Sequence, residues 1–259
     1  MKRSILFATV LMAAGSLFAA DAKEEVTAAA KKLAAAANYS WTTTMTPPGG
    51  RAGGGGGGGN GGGGGGGGRG RGGFGGPMMA KTEKGGFTVI TFGSGENAMQ
   101  GVVKGEKGAM QTPDGWQSIA ELTADNGGGG GGFNRGAMTA RRLQTTKAPD
   151  AAVTALLENV KTLTKADDAY TGDLNEAGAK ALLSFGPPRG GGGGPEISGA
   201  KASVKIWVKD GVLAKYETHV TGTISFNGND MERDTTATTE IKDVGTTKVE
   251  VPEDAKKKL

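Results

Sequence analysis

The chain has 259 residues, of which 51 are glycine and none is cysteine. Without cysteine it can form no disulfide, no thiolate metal site and no cysteine nucleophile, so its fold must be held by an apolar core. Its formal net charge of +4, from 30 basic and 26 acidic residues, is too small to indicate nucleic-acid binding, and we expect no nucleic-acid partner.

The N-terminus is typical of a secretory signal peptide. Lys2 and Arg3 precede an apolar stretch, Ile5–Phe18, and Ala20-Asp21-Ala22 offers a cleavage site of the A-x-A type. The stretch is too short to span a bilayer comfortably, although a short N-terminal anchor is the alternative. We therefore predict a cleaved signal peptide over residues 1–22 of a bacterial protein that is periplasmic or secreted.

Four glycine runs interrupt the rest of the chain, at Gly53–Gly59, Gly61–Gly68, Gly127–Gly132 and Gly190–Gly194. Glycine has no side chain to bury and loses the most entropy on ordering, so we predict long disordered loops at these places. Residues 23–259 are then expected to form a single α+β domain, interrupted by glycine-rich loops at 47–77, 126–136 and 186–196.

The first part of this domain is predicted to form one helix followed by strands. Within Lys23–Ala37 the apolar positions repeat at helical spacing, which indicates a helix that is either docked on the core or an unpacked leader. Tyr39–Met45 is rich in aromatic and β-branched residues, which favour a strand. Four shorter strands are predicted at Phe87–Phe92, Met99–Lys104, Ala109–Gln111 and Trp116–Ile119.

The middle of the chain predicts a helix, a strand and a second helix. Pro149-Asp150 favours a helix start, and the apolar stripe of this helix is Val153, Leu156, Leu157, Val160 and Leu163. A short strand is predicted at Ala169–Leu174. Asp173-Leu174-Asn175-Glu176 then resembles a capping arrangement, and the helix that it begins carries Leu182, Leu183 and Phe185 and ends at Gly186.

The last third is predicted to be a succession of long strands. Apolar and polar residues alternate in Lys201–Lys209, Asp210-Gly211 suits a hairpin turn, and Val212–Phe226 continues the alternation. Further strands are predicted at Met231–Val244 and Lys248–Val251. The pattern indicates an antiparallel sheet with one face in water. Threonine and glycine residues on its inner face leave room, either for packed helices or for a ligand.

The order of helices and strands, together with the ending of the chain, resembles a known group of proteins. The residues that carry the resemblance are Lys201–Lys209, Asp210-Gly211, Val212–Phe226 and Ile241–Ala255, in which a strand closes on Val251-Pro252. They resemble the LolA-like and LppX/LprG-like periplasmic lipoprotein carriers and lipid-binding proteins. This resemblance implies a curved antiparallel sheet, a half-open barrel, with about three packed helices and a cavity for acyl chains.

We therefore expect an exported, monomeric, non-enzymatic binding protein without cofactor or metal. It would hold a lipid or a lipoprotein acyl chain in an apolar cleft. The residues expected to line the cleft are Val204, Ile206, Val208, Tyr216, Val220, Ile224 and Phe226. The alternative is a structural or interaction protein of the cell envelope, whose Gly/Arg-rich loops contact matrix or the membrane surface.

Three features resemble functional motifs without meeting their requirements. His219 is the only histidine. It is a ligand, a general base or a surface residue, and one histidine without cysteine cannot supply a zinc site. Arg69-Gly70-Arg71 resembles an RNA-binding RGG segment, but export argues against RNA. The carboxylates at Asp167, Asp168, Asp173 and Glu176 lack the spacing of a calcium loop, and no G-x-S-x-G motif is present.

Overall fold

The computed structural model describes residues 14–46, 76–95, 98–124, 135–184, 195–226 and 228–259. The first 13 residues, most of the glycine-rich loops and Phe185 lie outside these ranges. The signal peptide, the disorder of the loops and the division into domains therefore stay predictions. Within the described ranges, no helix combines the length and the apolar character that crossing a membrane would need.

The described residues form six helices and eleven strands. The helices are α1 (Ala14–Ala35), α2 (Ile119–Ala124), α3 (Arg135–Thr145), α4 (Pro149–Asn159), α5 (Glu176–Leu183) and α6 (Glu253–Lys256). The strands are β1 (Asn38–Thr46), β2 (Met78–Glu83), β3 (Thr88–Phe92), β4 (Met99–Lys104), β5 (Lys107–Thr112), β6 (Gly115–Ser118), β7 (Val160–Ala166), β8 (Ala169–Leu174), β9 (Glu196–Lys209), β10 (Val212–Phe226) and β11 (Asn229–Lys242).

All eleven strands belong to one sheet, in the order β6-β5-β4-β3-β2-β1-β11-β10-β9-β8-β7. Every neighbouring pair is antiparallel. The pairing of β1 with β11 joins the two ends of the chain, with Trp41 opposite Ile241. β6 and β7 are the two edges, so the sheet does not close. The predicted α+β class with an antiparallel sheet is confirmed.

Helices α1 to α5 cover one side of the sheet, which we call the inner face. α1 contacts β7, β9 and β10, α5 contacts β8, β9 and β10, and α4 packs on α1 and α5. Farther along, α2 and α3 pack on β4, β5 and β6. There the backbones approach closely, because an added Cβ at Gly101 would overlap the Leu143 side chain of α3. The main apolar core lies between this helix layer and the inner face.

The opposite side of the sheet, the outer face, is covered only in part. A second apolar cluster contains Val89 of β3, Val102 of β4 and Ala255 of α6. Residues before and after α6 pack against it, together with Trp116 of β6. We call residues 244–259 the C-terminal tail. It folds back over β3 to β6 and buries apolar side chains on this half of the outer face.

Two local signals act as the sequence predicts. Asp210 and Gly211 have φ values of +53° and +70°, the left-handed backbone that a tight hairpin turn between β9 and β10 requires. Asn175 caps α5, since its side-chain oxygen accepts a hydrogen bond from the Gly178 amide at 2.8 Å.

Other predictions are corrected. The helical spacing of apolar residues predicts that Val160 and Leu163 belong to α4. In the structure α4 ends at Asn159, and both residues lie in β7. Residues 248–251 form no strand; they are extended chain that packs against the outer cluster. β2, β7, α2, α3 and α6 were not predicted.

The alternation along β10 is broken by a bulge. Opposite β9 the register shifts between Leu213 and Lys215, so Leu213 lies on the same face as Tyr216 and is buried. Strict alternation from the sequence would place Val212 and Ala214 on that face instead. The inner face of β10 therefore carries Leu213 where the pattern predicts Val212 and Ala214.

Candidate functional site

The predicted lining residues lie together on the inner face of β9 and β10. Val204 and Ile206 are neighbours on β9, and Val220 and Ile224 follow on β10. These four side chains are between 0% and 8% exposed and belong to the main core. Val208 and Tyr216 are partly buried against the same core. The side chain of Phe226 lies outside the described part of the chain.

In this structure the protein's own helices occupy the space above these residues. α1 and α5 contact β9 and β10 directly, and Leu33, Val153 and Leu183 are buried in the same cluster. Two cavities that described residues border lie elsewhere. One is a trough on the outer face, and the other is on the solvent side of α1, around Lys23 and Lys31.

Helix α1 is held on the sheet mainly by small side chains. Its buried positions in the described part are Ala22, Val26, Ala29, Ala30 and Leu33. Alanine at three of these five positions brings the helix axis close to the sheet but buries little apolar area for each residue. The helix therefore owes much of its attachment to two residues, Val26 and Leu33, both of which are fully buried.

Polar contacts in the middle and near the C-terminal end of α1 complete its attachment. Lys32 donates a hydrogen bond from Nζ to the Asp210 carbonyl oxygen at 2.9 Å, across the β9–β10 turn. Glu25 accepts hydrogen bonds from the Tyr170 hydroxyl and from Lys165 Nζ. The Tyr170 hydrogen bond, followed by Lys165, holds the pKa of the Glu25 carboxyl below its usual range. These contacts are solvent-exposed, so each contributes little to stability.

A polar cluster interrupts the apolar inner face near the start of α4. The Tyr39 hydroxyl donates to Asp150 Oδ1 at 2.7 Å, and Thr43 and Thr239 are hydrogen-bonded at 2.8 Å. Burial, and then the hydrogen bond to Asp150, raise the pKa of Tyr39, and burial raises the pKa of Tyr216. Both phenols therefore remain neutral. Tyr39 gives its one proton to Asp150, and its oxygen can still accept a hydrogen bond from a polar group brought to this place.

The sequence analysis missed this polar cluster. Tyr39 and Thr43 stand two positions either side of Trp41 on β1, and Tyr216 and Thr239 are cross-strand neighbours. The alternation along each strand predicts that these side chains lie on the inner face. What could not be read was the pairing of β1 with β11, or the docking of Asp150 above them.

His219 lies on the outer face, where it is exposed and its Nε2 is 2.8 Å from Asp234 Oδ1. Ser203 is its cross-strand neighbour on β9. The backbone amides of β10 here pair within the ladders of the sheet, whereas an oxyanion hole needs backbone donors that are free to point at it. Within the described ranges, no three Asp, Glu or His side chains come together in a way that could hold a metal ion.

No family model matches the chain, and no curated protein is significantly similar to it in sequence. LprF from Mycobacterium bovis is 12% identical, with a TM-score of 0.41, over 91% of this chain and 98% of that one. The lipoprotein LppX from Mycobacterium tuberculosis is 12% identical, with a TM-score of 0.46, over 90% of this chain and 99% of that one. The predicted resemblance is thus confirmed as a similarity to solved structures. A similarity of this size says nothing about a ligand.

Proposed function

We propose that this protein is a non-enzymatic binding protein that holds the acyl chain of a lipid or lipoprotein between the inner face and α1. The observation that carries the proposal is the combination of a large apolar inner face with a covering helix attached mostly through small side chains. Val204, Ile206, Val208, Tyr216, Val220, Ile224 and Phe226 would contact the acyl chain. Each contributes apolar area and none performs chemistry.

Binding requires α1 to move away from the sheet, because its side chains fill the space that an acyl chain would take. The loss of Val26 and Leu33 from the core costs about 1.5–3 kcal/mol each. An acyl chain on the same surface restores apolar contact of about 0.8 kcal/mol for each buried CH₂. A chain of ordinary length therefore offsets the displacement of the helix, which makes exchange of helix for ligand energetically feasible.

The polar cluster at Tyr39, Thr43, Asp150 and Tyr216 is the proposed place for the polar end of the ligand. Its hydroxyls can donate or accept hydrogen bonds, and the Asp150 carboxylate accepts them. A hydroxyl or amine of a head group fits this set better than a phosphate, because a second negative charge beside Asp150 would be repelled.

The proposal is tested by lipid uptake of the full chain expressed in bacteria. Native mass spectrometry detects co-purified lipid, and a fluorescent fatty acid measures binding after lipid removal. Ala30→Phe places a large side chain under α1, whereas Ala28→Phe makes the same change on the exposed side of that helix. We expect wild type and Ala28→Phe to bind alike, and Ala30→Phe to lose at least tenfold in affinity.

The melting temperature of each variant separates a binding defect from unfolding. If wild type neither carries lipid nor takes up the fatty acid, the proposed function is wrong, whatever the two variants do. If Ala30→Phe is folded and binds as well as wild type, the ligand does not lie under α1.

A second candidate is favoured by the filled inner face: a structural or interaction protein of the envelope, whose Gly/Arg-rich loops contact matrix or the membrane surface. Deletion of residues 53–68 distinguishes the two. A lipid-binding protein keeps its affinity for the fatty acid after the deletion. A protein that acts through this loop keeps its melting temperature but no longer sediments with isolated cell envelopes.

We propose further that a bacterial cell exports the chain and removes residues 1–22. Intact-mass measurement of protein from the periplasmic fraction tests this. The expected mass lacks the first 20 to 22 residues. Full-length protein retained in the membrane fraction would instead indicate the N-terminal anchor.

A further inference from the structure

The outer face of β7 to β10 carries a trough of about 410 Å³, on the opposite side of the sheet from the proposed acyl-chain site. The register places its side chains in two rows that cross the strands. The first row contains Thr164, Thr171, Lys205 and Glu217. The second row contains Thr162, Asp173, Ser203 and His219. Neighbouring strands lie about 4.8 Å apart, so each row offers a hydrogen-bonding group at nearly every such step across four strands.

All eight side chains of the two rows have groups that can form hydrogen bonds, and these groups differ in kind. The hydroxyls of threonine and serine both donate and accept, Lys205 only donates, and the carboxylates of Asp173 and Glu217 only accept. The apolar residue at the trough is Val204, whose side chain is buried in the inner core. A surface of this composition does not attract an acyl chain. It matches a ligand whose surface is itself a mixture of donors and acceptors.

An aromatic ring lies in the next row of the outer face, beside the trough. Trp207 follows Lys205 on the same face of β9 and lies opposite Lys215 of β10. The ammonium groups of these lysines are 4.9 Å and 4.5 Å from the centre of the indole ring, which holds the ring in place by cation–π attraction. Trp207 is only partly buried. A half-exposed indole on a polar surface is a typical contact residue, because it combines a rigid apolar plate with a hydrogen-bond donor.

The trough carries no surplus of basic groups. Lys205 faces Glu217 across the strands, Asp173 adds a negative charge, and His219 is bonded to Asp234. An anionic membrane or a nucleic acid needs a surplus of basic groups, which this surface lacks. The charge pattern therefore favours a neutral ligand rich in hydroxyl groups.

The trough is also open, unlike the half of the outer face over β3 to β6. The C-terminal tail packs on β3 and β4, and it stops short of β7 to β10, where Thr162, Thr164 and His219 are exposed among the described residues.

From these observations we propose that the trough binds a neutral glycan chain. Sugar hydroxyls would exchange hydrogen bonds with the two rows, and the apolar C–H face of a sugar ring would stack on Trp207 in place of one of the two lysine ammonium groups. The chain would lie across the strands, along the rows. Together with the inner face, this gives one sheet two binding surfaces, one for a hydrocarbon and one for carbohydrate of the cell envelope.

The proposal is tested by titrating the full chain, labelled with ¹⁵N, with chitotetraose, cellotetraose and maltotetraose. We expect at least one tetrasaccharide to bind at submillimolar to millimolar concentration and to shift the amide signals of β8, β9 and β10 around the trough. Trp207→Ala should weaken binding at least tenfold, and Thr171→Val about threefold. Thr223→Val is the matched control, since Thr223 is an outer-face threonine of β10 beyond the trough, and it should bind as wild type does.

The wild-type titration decides the question even if a variant fails to fold. Absence of binding of all three sugars at 10 mM (roughly the weakest affinity of interest), or shifts confined to residues outside β7 to β10, overturns the proposal. The proposal is also overturned if the wild type binds vesicles of anionic phospholipid and Trp207→Ala does not, because the trough would then bind a membrane. Lipid uptake is measured separately and should be unchanged in Trp207→Ala, so failure here leaves the proposed function standing.

Discussion

The two faces of β9 and β10 differ as much as the surfaces of two separate proteins would, although they are formed by alternate residues of the same strands. On the inner face, Ile206 is 0% exposed beneath the helices. On the outer face, the neighbouring Lys205 and Trp207 are open to water and interact with each other. Alternation in the sequence determines which side chains share a face. It does not determine what covers that face, because the covering elements come from distant parts of the chain.

The largest effect on stability is expected when one residue on each face is replaced in turn. Ile206→Ala should lower the free energy of unfolding by about 2–5 kcal/mol, because it leaves a cavity in the main core. Lys205→Ala, on the next position of the same strand, should cost at most about 1 kcal/mol. Urea denaturation followed by circular dichroism measures both. Equal losses would show that the inner face is not the core of the fold.

The next effect concerns the half of the outer face that is covered. Deleting Pro252–Leu259 removes α6 and uncovers Val89 and Val102, so the free energy of unfolding should fall by about 2–3 kcal/mol, as for exposing a buried valine. The control is Lys257→Ala, whose side chain is exposed in the same tail and whose loss should be within about 0.5 kcal/mol. An unchanged unfolding midpoint after the deletion would mean that the tail does not seal this surface.

The smallest effect is the attachment of α1 through Glu25. Its pKa is lowered in the folded state, so its contribution to stability is present above the unfolded pKa and is lost as pH falls through the folded pKa. Glu25→Gln should therefore lower the melting temperature slightly at about pH 7, and by less as the pH falls below the ordinary glutamate pKa of about 4.3. Glu24→Gln, on the exposed neighbouring position of α1, should show no such dependence. A Glu25→Gln effect that persists in acid would indicate a packing defect.

Much of the fold was predictable because local signals and tertiary packing agree. β4, β8 and β10 have the predicted bounds, since alternation, turn residues and caps all point to the same elements there. β2 was missed because Met78, Ala80, Lys81 and Glu83 are poor strand formers; it is held by β1 and β3 on either side. β7 was missed because Val160 and Leu163 continue the helical spacing of α4, and only pairing with β8 makes this segment a strand.

The candidate sites were predictable to different degrees. The inner-face residues of β9 and β10 follow from alternation, except at Leu213, where the bulge adds a residue that no sequence signal marks. The trough depends on the register of four strands. This register brings Thr164 and His219 to the same surface, although more than fifty positions of sequence separate them. Register of this kind is set by hairpin turns and by the burial of the other face, so it is visible only once the sheet is assembled.

The three tryptophans of the chain stand in three different settings. Trp41 is buried on the inner face with its indole nitrogen 3.2 Å from the Thr82 hydroxyl, Trp116 packs with the C-terminal tail, and Trp207 lies beside the trough. Replacing any two of them by phenylalanine leaves a single emitter. The colour and intensity of its fluorescence then report on one event in each variant, without an attached dye. Trp41 reports displacement of the helix, Trp116 reports release of the tail, and Trp207 reports occupancy of the outer surface.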